Sequence, residues 1–327
     1  MEFRTCIGNI DCKRKIHHSD AIFLIGSCFS DNIGSKLKKS LFLTEINPFG
    51  TVYNPISILH QLDAIISKKH ITEADLIEHN GLWHHFLFHS RYSSRDKNTA
   101  LDRMNEQIHR AHLALKDCRI AVITLGTAFV YESRHTHRVV SNCHKIPAKE
   151  FDRYMLRYDA VRDALRAIVE RISSFAPEAR VMFTVSPIRH IGDGLVANQL
   201  SKSTLRTAVG EITNEMPSIC SYFPAYEIMM DELRDYRFYA ADMLHPSEVA
   251  VEYIWNAFKA TFFDDSTAQL ALRCERLHKR LEHRMLTDNT SEIERFRAET
   301  QKITRALVDE FPYIKNTLRQ YNSVIEL

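Results

Sequence analysis

Residues 21–34 read AIFLIGSCFSDNIG, an apolar run that stops at Gly26-Ser27-Cys28 and gives way to a polar, helix-like segment. The run is too short and too continuously apolar for an amphipathic surface helix, and continuous apolarity implies a strand buried on both faces. Three further runs share this character: RIAVITLG (119–126), RVMFTVS (180–186) and CSYFPAYEI (220–228). Helical patterns beginning at Ser30, Ile56, Asn98, Tyr158 and Gly194 lie among them. The one from Tyr158 places Val161, Leu165, Ile168, Val169 and Ile172 on a single stripe. Strands alternating with such helices predict an α/β fold, a mostly parallel sheet covered on both sides in three α/β/α layers.

Two stretches interrupt this rhythm. GLWHHFLFHSRYSS (81–94) and HTHRVVSNCHKIP (135–147) read as short strands or excursions inserted between core units, placed to form walls of a pocket. After DMLHPSEVAVEYIWNAFKATFF the composition changes: residues 264–327 contain no glycine and carry many Arg, Glu and Lys. Leu270, Cys274, Leu277, Leu281 and Met285 form one helical stripe, and Ile303, Leu307, Phe311, Ile314 and Leu318 a second. The expected organisation is an α/β domain over 1–263 and an α-helical extension over 264–327, with TDNTSE (287–292) as a turn and helix cap. The extension reads as a structural clamp or an arm for homodimerisation.

Composition excludes several classes of function. The 327 residues carry 43 basic and 41 acidic side chains, a net charge of +2, so nothing in the whole chain argues for nucleic-acid or membrane attraction. KLKKS (36–40) and CKRK (12–15) read as solvated faces. The seven cysteines are odd in number and contain no C-x-x-C pair, which fits free thiols in a reducing compartment. MEFRTCIGNIDCKRK lacks an apolar leader core, and no stretch approaches the ~18 apolar residues of a membrane span. A soluble, cytoplasmic protein is the expectation.

In an open parallel sheet, ligands sit beyond the carboxyl ends of the strands, which here are residues 26–28, 126–128, 186–190 and the stretch after 228. That last stretch contains YAADMLHPSEVAVEY, where Asp242 and His245 precede Pro246 and a helix capped by Ser247. A carboxylate bonded to one ring nitrogen fixes the tautomer and leaves the other nitrogen to take a proton from a nucleophile. Ser27 and Cys28 both stand at the first strand end. A thiolate is the better intrinsic nucleophile, but neighbours leaving a strand point in different directions, so both cannot face one imidazole. Ser30 or Asp31 can cap the helix that follows.

GSCFS (26–30), NPFGTVYNP (47–55), ITLGTAFVYE (123–132), SNCHKIP (141–147), TVSPIRH (184–190) and DMLHPS (242–247) together resemble the GSCFA family, a branch of the SGNH/GDSL hydrolase superfamily, over about residues 20–262. The resemblance implies a flavodoxin-like sheet and a serine esterase with Ser27 as nucleophile and Asp242 and His245 completing a triad. Cys28 is then a small apolar residue under the turn. It also implies Gly50 as an oxyanion donor. Where the superfamily places an asparagine as a further donor, GTAF has Ala128; Thr127, Asn142 or the amide of Ser27 or Cys28 are the substitutes. His144, Arg189 and His190 are the other cavity residues expected to meet substrate.

The implied substrate is a small-molecule or glycan acyl ester, with no metal or organic cofactor. Acyl transfer to a glycan acceptor and non-catalytic glycan or partner binding on the same fold are the alternatives. His85 and His89 share a face if WHHFLFH is a strand, while His84 points away, so a three-ligand metal site needs help from elsewhere. GSCFSDNIG lacks the G-x-x-x-x-G-K-[ST] phosphate-loop pattern.

Overall fold

The computed structural model of the chain describes residues 5–8, 10, 14–286 and 289–321. Cys12 and the first two residues of TDNTSE lie outside them; the other six cysteines are free. Ten strands occur among the described residues: β1 (Ile22–Gly26), β2 (Thr44–Ile46), β3 (Ile77–His79), β4 (Leu82–His84), β5 (Ile120–Leu125), β6 (Phe129–Ser133), β7 (Arg138–Val139), β8 (Phe151–Met155), β9 (Arg180–Val185) and β10 (Cys220–Phe223). The helices are α1 (Cys28–Lys39), α2 (Pro55–Ile66), α3 (Lys97–Asp117), α4 (Tyr158–Phe175), α5 (Leu195–Glu215), α6 (Ala225–Glu227), α7 (Glu248–Phe262), α8 (Asp265–Leu281), α9 (Thr290–Glu310) and α10 (Ile314–Leu318).

The central sheet runs β10-β9-β5-β1-β2 with every pair parallel. Counted along the chain, these five strands take the order 2-1-3-4-5, so the strand order reverses at β1 and β5 and opens a crevice beyond their carboxyl ends. Alternation along each strand explains the three layers. Phe23, Ile25, Ala121, Ile123, Val181 and Phe183 face one core with the buried sides of α2, α3, α4 and α5. Ile22, Leu24, Ile120, Val122 and Met182 face the other, with Phe29, Ile33 and Leu37 of α1 and Ile254, Trp255 and Phe258 of α7. The fold is the expected α/β/α sandwich with C-terminal helices.

The differences are local. The expected strand over 220–228 ends at Phe223, because Pro224 has no N–H for the ladder and the chain turns into α6 and a π-helical turn at Ile228–Glu232. The first excursion supplies β4, which pairs with β3 just before it, and the second contributes β7 to the three-stranded sheet β7-β6-β8. The helix expected from Ser30 begins at Cys28, with Ser27 rather than Ser30 or Asp31 as its cap. In the C-terminal helices Leu270, Cys274, Leu277, Leu281, Leu307, Ile314 and Leu318 join Leu41 in a separate cluster. Phe311 packs at its edge, Ile303 is exposed, and Met285 lies beyond the end of α8. No helix among the described residues is long and apolar enough to cross a membrane.

The turn after β1 has no room for a side chain at Gly26. A Cβ there would lie 2.1 Å from the Thr124 carbonyl oxygen, and the residue's φ of +145° is one that side-chain-bearing residues rarely adopt. Gly26→Ala is therefore expected to lower the unfolding free energy by about 2–4 kcal/mol in urea denaturation, or to abolish folding. A denaturation midpoint unchanged from wild type contradicts that reading.

Candidate functional site

Ser27 sits between β1 and α1 with φ −66° and ψ 171°, the extended backbone of a helix cap. Its amide donates to the Thr124 carbonyl at 3.0 Å, and its Oγ accepts the Phe29 amide at 3.3 Å. The side chain is fully enclosed, at 0% exposure. The expected pairing of Ser27 with His245 is absent from the described hydrogen bonds; the serine hydroxyl is used to start the helix.

Cys28, one residue on, is half-buried and turns the other way. Its Sγ lies 4.0 Å from His245 Nε2. His245 Nδ1 in turn lies 2.6 Å from Asp242 Oδ2, while Asp242 Oδ1 accepts the amides of Leu244 at 2.9 Å and His245 at 3.0 Å. Those two amides, followed by the ring of His245, hold the Asp242 carboxyl down at about 2, so it is ionised at neutral pH. Burial, and then the charge of Asp31, push the Cys28 thiol above its ordinary range. The arrangement is a protonated thiol facing the free nitrogen of an imidazole whose other nitrogen is tied to a carboxylate.

Asn47 braces the turn. Its Oδ1 accepts the Gly26 amide at 2.8 Å and its Nδ2 donates to Asp31 at 2.9 Å, while its carbonyl receives Arg91 at 2.8 Å. Tyr53 spans to β5, its carbonyl accepting the amides of Gly126 at 2.7 Å and Thr127 at 3.0 Å. A Cβ on Gly126 would lie 3.1 Å from Tyr53 Cβ and 3.2 Å from His190 Nε2, so these side chains close over the strand end beside Cys28. Burial pushes His190 down to about 4, and its enclosed Nε2 has no partner among the described residues.

The remaining expected site residues are engaged elsewhere. The Gly50 amide donates to the Asn47 carbonyl at 2.8 Å, and Gly50 serves close packing, since a Cβ there would be 2.2 Å from His89 Cβ. Thr127 turns its hydroxyl to Ser201 at 3.0 Å and to the Phe129 amide at 3.1 Å. Asn142 accepts the His144 amide at 2.8 Å. The buried His144 spends one nitrogen on Ser90 at 3.1 Å and the other on the His85 carbonyl at 3.0 Å. His144 thus pins the second insertion to the first, and the Asn142 amide adds a bond to the Phe86 carbonyl at 3.2 Å. By contrast, the Cys28 amide, the first N–H of α1, makes no backbone–backbone hydrogen bond among the described residues and, like the Phe29 amide, faces the Cys28 sulfur. His84, His85 and His89 form no metal-binding group; no group of three His, Cys, Asp or Glu suited to a metal occurs among the described residues. A cavity of about 500 Å³ lies at the opposite, amino-terminal edge of the strands, against Ile120, Met182 and Ile219, and contains none of these side chains.

The profile of the GSCFA family matches residues 21–258. The chain belongs to the GSCFA family. That match takes in the turn at Cys28 and the loop bearing Asp242 and His245 of this GSCFA protein. No curated protein matches the chain. Among solved structures it is similar to a protein of Streptococcus pneumonia provisionally named a platelet activating factor, at 11% identity and a TM-score of 0.40. That likeness covers 75% of this chain and 85% of the other.

Sequence reasoning missed Asn47, Tyr53 and Lys202. The first two lie inside NPFGTVYNP, where Asn before Pro signals a turn; Lys202, in LSKSTLR, has the pattern of a solvated helix face. Yet Lys202 is 1% exposed, with Nζ donating to the Ser186 carbonyl at 2.7 Å. Burial brings it down to about 7. Between about 7 and the ordinary lysine range, the unfolded chain binds a proton that the folded chain does not, so this residue makes stability rise with pH there. Urea denaturation of wild type and Lys202→Met should show wild type gaining on the variant, on the order of a few kcal/mol, as pH rises through that window. A difference independent of pH contradicts it.

Proposed function

We propose that this GSCFA protein is an acyl-ester hydrolase of SGNH type whose nucleophile is Cys28, with His245 as base and Asp242 as its orienting carboxylate. The observation that carries the reading is the 4.0 Å approach of Cys28 Sγ to His245 Nε2, with 2.6 Å between His245 Nδ1 and Asp242. Ser27, the nucleophile implied by the family resemblance, has its hydroxyl in the helix cap. The raised thiol supports a general-base role for His245, because a cysteine that does not ionise by itself needs its proton removed during attack.

In this reading His245 Nε2 takes the thiol proton as Sγ adds to the ester carbonyl. In the same reading the oxyanion is stabilised by the Cys28 amide and the positive end of α1. The tetrahedral species collapses to a thioester, and the imidazolium returns its proton to the departing alkoxide. Water, deprotonated by the same nitrogen, then attacks the thioester, releasing the carboxylic acid and restoring the thiol. The acyl group is small or carbohydrate-borne in this proposal.

Hydrolysis of short-chain p-nitrophenyl esters separates the two neighbours. Cys28→Ala should lower kcat/KM by about 10³-fold or more, whereas Ser27→Ala should keep turnover and lose about 1 kcal/mol of stability with its cap. Turnover surviving Cys28→Ala but lost in Ser27→Ala returns the role to the serine. The charge of Asp31 gives a second check. Asp31→Asn removes a negative neighbour, so the thiol should ionise at lower pH, and iodoacetamide should label Cys28 several-fold faster at pH 8. Slower or equal labelling counts against it.

A further inference from the structure

Residues 240–245 carry both Asp242 and His245, whose side chains are 45% and 51% exposed. Inside this segment Met243 donates to Ala240 at 2.9 Å and Ala240 to His245 at 2.7 Å, with Met243 held at φ +60°. These bonds shape the loop and do not attach it to the sheet. Apart from the Cys28–His245 approach, the described hydrogen bonds that join 240–245 to the rest of the chain come from one residue, Arg189, just beyond β9. Its amide donates to the Leu244 carbonyl at 3.4 Å and its Nη2 to the Met243 carbonyl. Its guanidinium also lies over the rings of Tyr239 at 4.4 Å and Tyr236 at 5.4 Å.

We propose that Arg189 is a positioning residue that holds the Asp242–His245 loop at the distance Cys28 requires, and is not a contact for substrate. The inference rests on the reading of Cys28, His245 and Asp242 as one catalytic set. A planar guanidinium can stack on Tyr239 and donate in its own plane to Met243 at once, which an ammonium cannot. Arg189 Nε is buried with no partner among the described residues, a cost that a surface arginine sheds by turning to water. The side chain stays in place because stacking and the Met243 carbonyl hold it there.

The test pairs a readout of the loop with a readout of chemistry. In Arg189→Ala, hydrogen exchange of the amides of 240–245 should accelerate while the core helices keep their protection. With p-nitrophenyl acetate, kcat should fall about tenfold to a hundredfold and KM should stay within about twofold. Guanidinium ion at tens of millimolar should restore part of the loss in this variant and none in His245→Ala. Arg189→Lys, which keeps the charge but loses the planar stack, should fall between wild type and alanine, and decides the matter by the same readouts if the alanine protein does not fold. Unchanged exchange, an unchanged kcat, or a rise in KM alone overturns the proposal, the last pointing to substrate contact. If wild type and Cys28→Ala hydrolyse the ester equally, the nucleophile reading fails, and the exchange result still decides whether Arg189 anchors the loop.

Discussion

The site depends on how closely β1 and β5 approach at Gly26. With no side chain there, the Thr124 carbonyl comes near enough to take the Ser27 amide, and the Asn47 side chain holds the Gly26 amide from the other side. Those two bonds orient the peptide units leaving the strand, and orientation decides which neighbour is sacrificed to the helix cap. Ser27 goes inward as the cap of α1, and Cys28, the first residue of the helix, goes outward. A short turn thus combines two needs of opposite character, a buried hydroxyl to begin a helix and an accessible thiol beside an imidazole.

Much of this was legible in the chain, and the boundary between legible and illegible is physical. Continuous apolar runs announced β1, β5 and β9 because burial on both faces of a parallel sheet leaves no polar positions. Asp242 and His245 could be paired because they lie within four residues of each other and a proline ends their turn. The choice between Ser27 and Cys28 was beyond reach of pattern alone. It turns on the backbone angles of one residue, set by Thr124 and Asn47 from distant parts of the sequence. Nor could the pattern show the local partners of Gly50, Thr127 and Asn142: the Gly50 amide meets the Asn47 carbonyl, the Thr127 hydroxyl meets Ser201, and Asn142 Oδ1 accepts the His144 amide.

Helix α5 shows how the rest of the crevice is organised. Asn198, Ser201 and Lys202, at i, i+3 and i+4, form a buried polar stripe on an otherwise ordinary helix. Asn198 accepts the His190 amide at 2.9 Å, Ser201 the Ala128 amide at 2.7 Å, and Lys202 donates to Ser186. Each group ties down a loop leaving a strand, so one helix sets the height of the strand ends of both β5 and β9. A core built only of apolar side chains packs well but leaves such loop amides and carbonyls unpaired, and buried polar groups left unpaired are costly.

The approach of Cys28 to His245 joins residues 217 positions apart. A ribosome therefore delivers the thiol long before the imidazole exists, and the sheet, its crossover helices and the clamp at Arg189 must all emerge in between. Contacts of such separation close late, because chain entropy opposes them until the intervening elements have formed. The nascent polypeptide consequently carries Cys28 unmatched until the loop bearing His245 has emerged, near the end of the α/β unit.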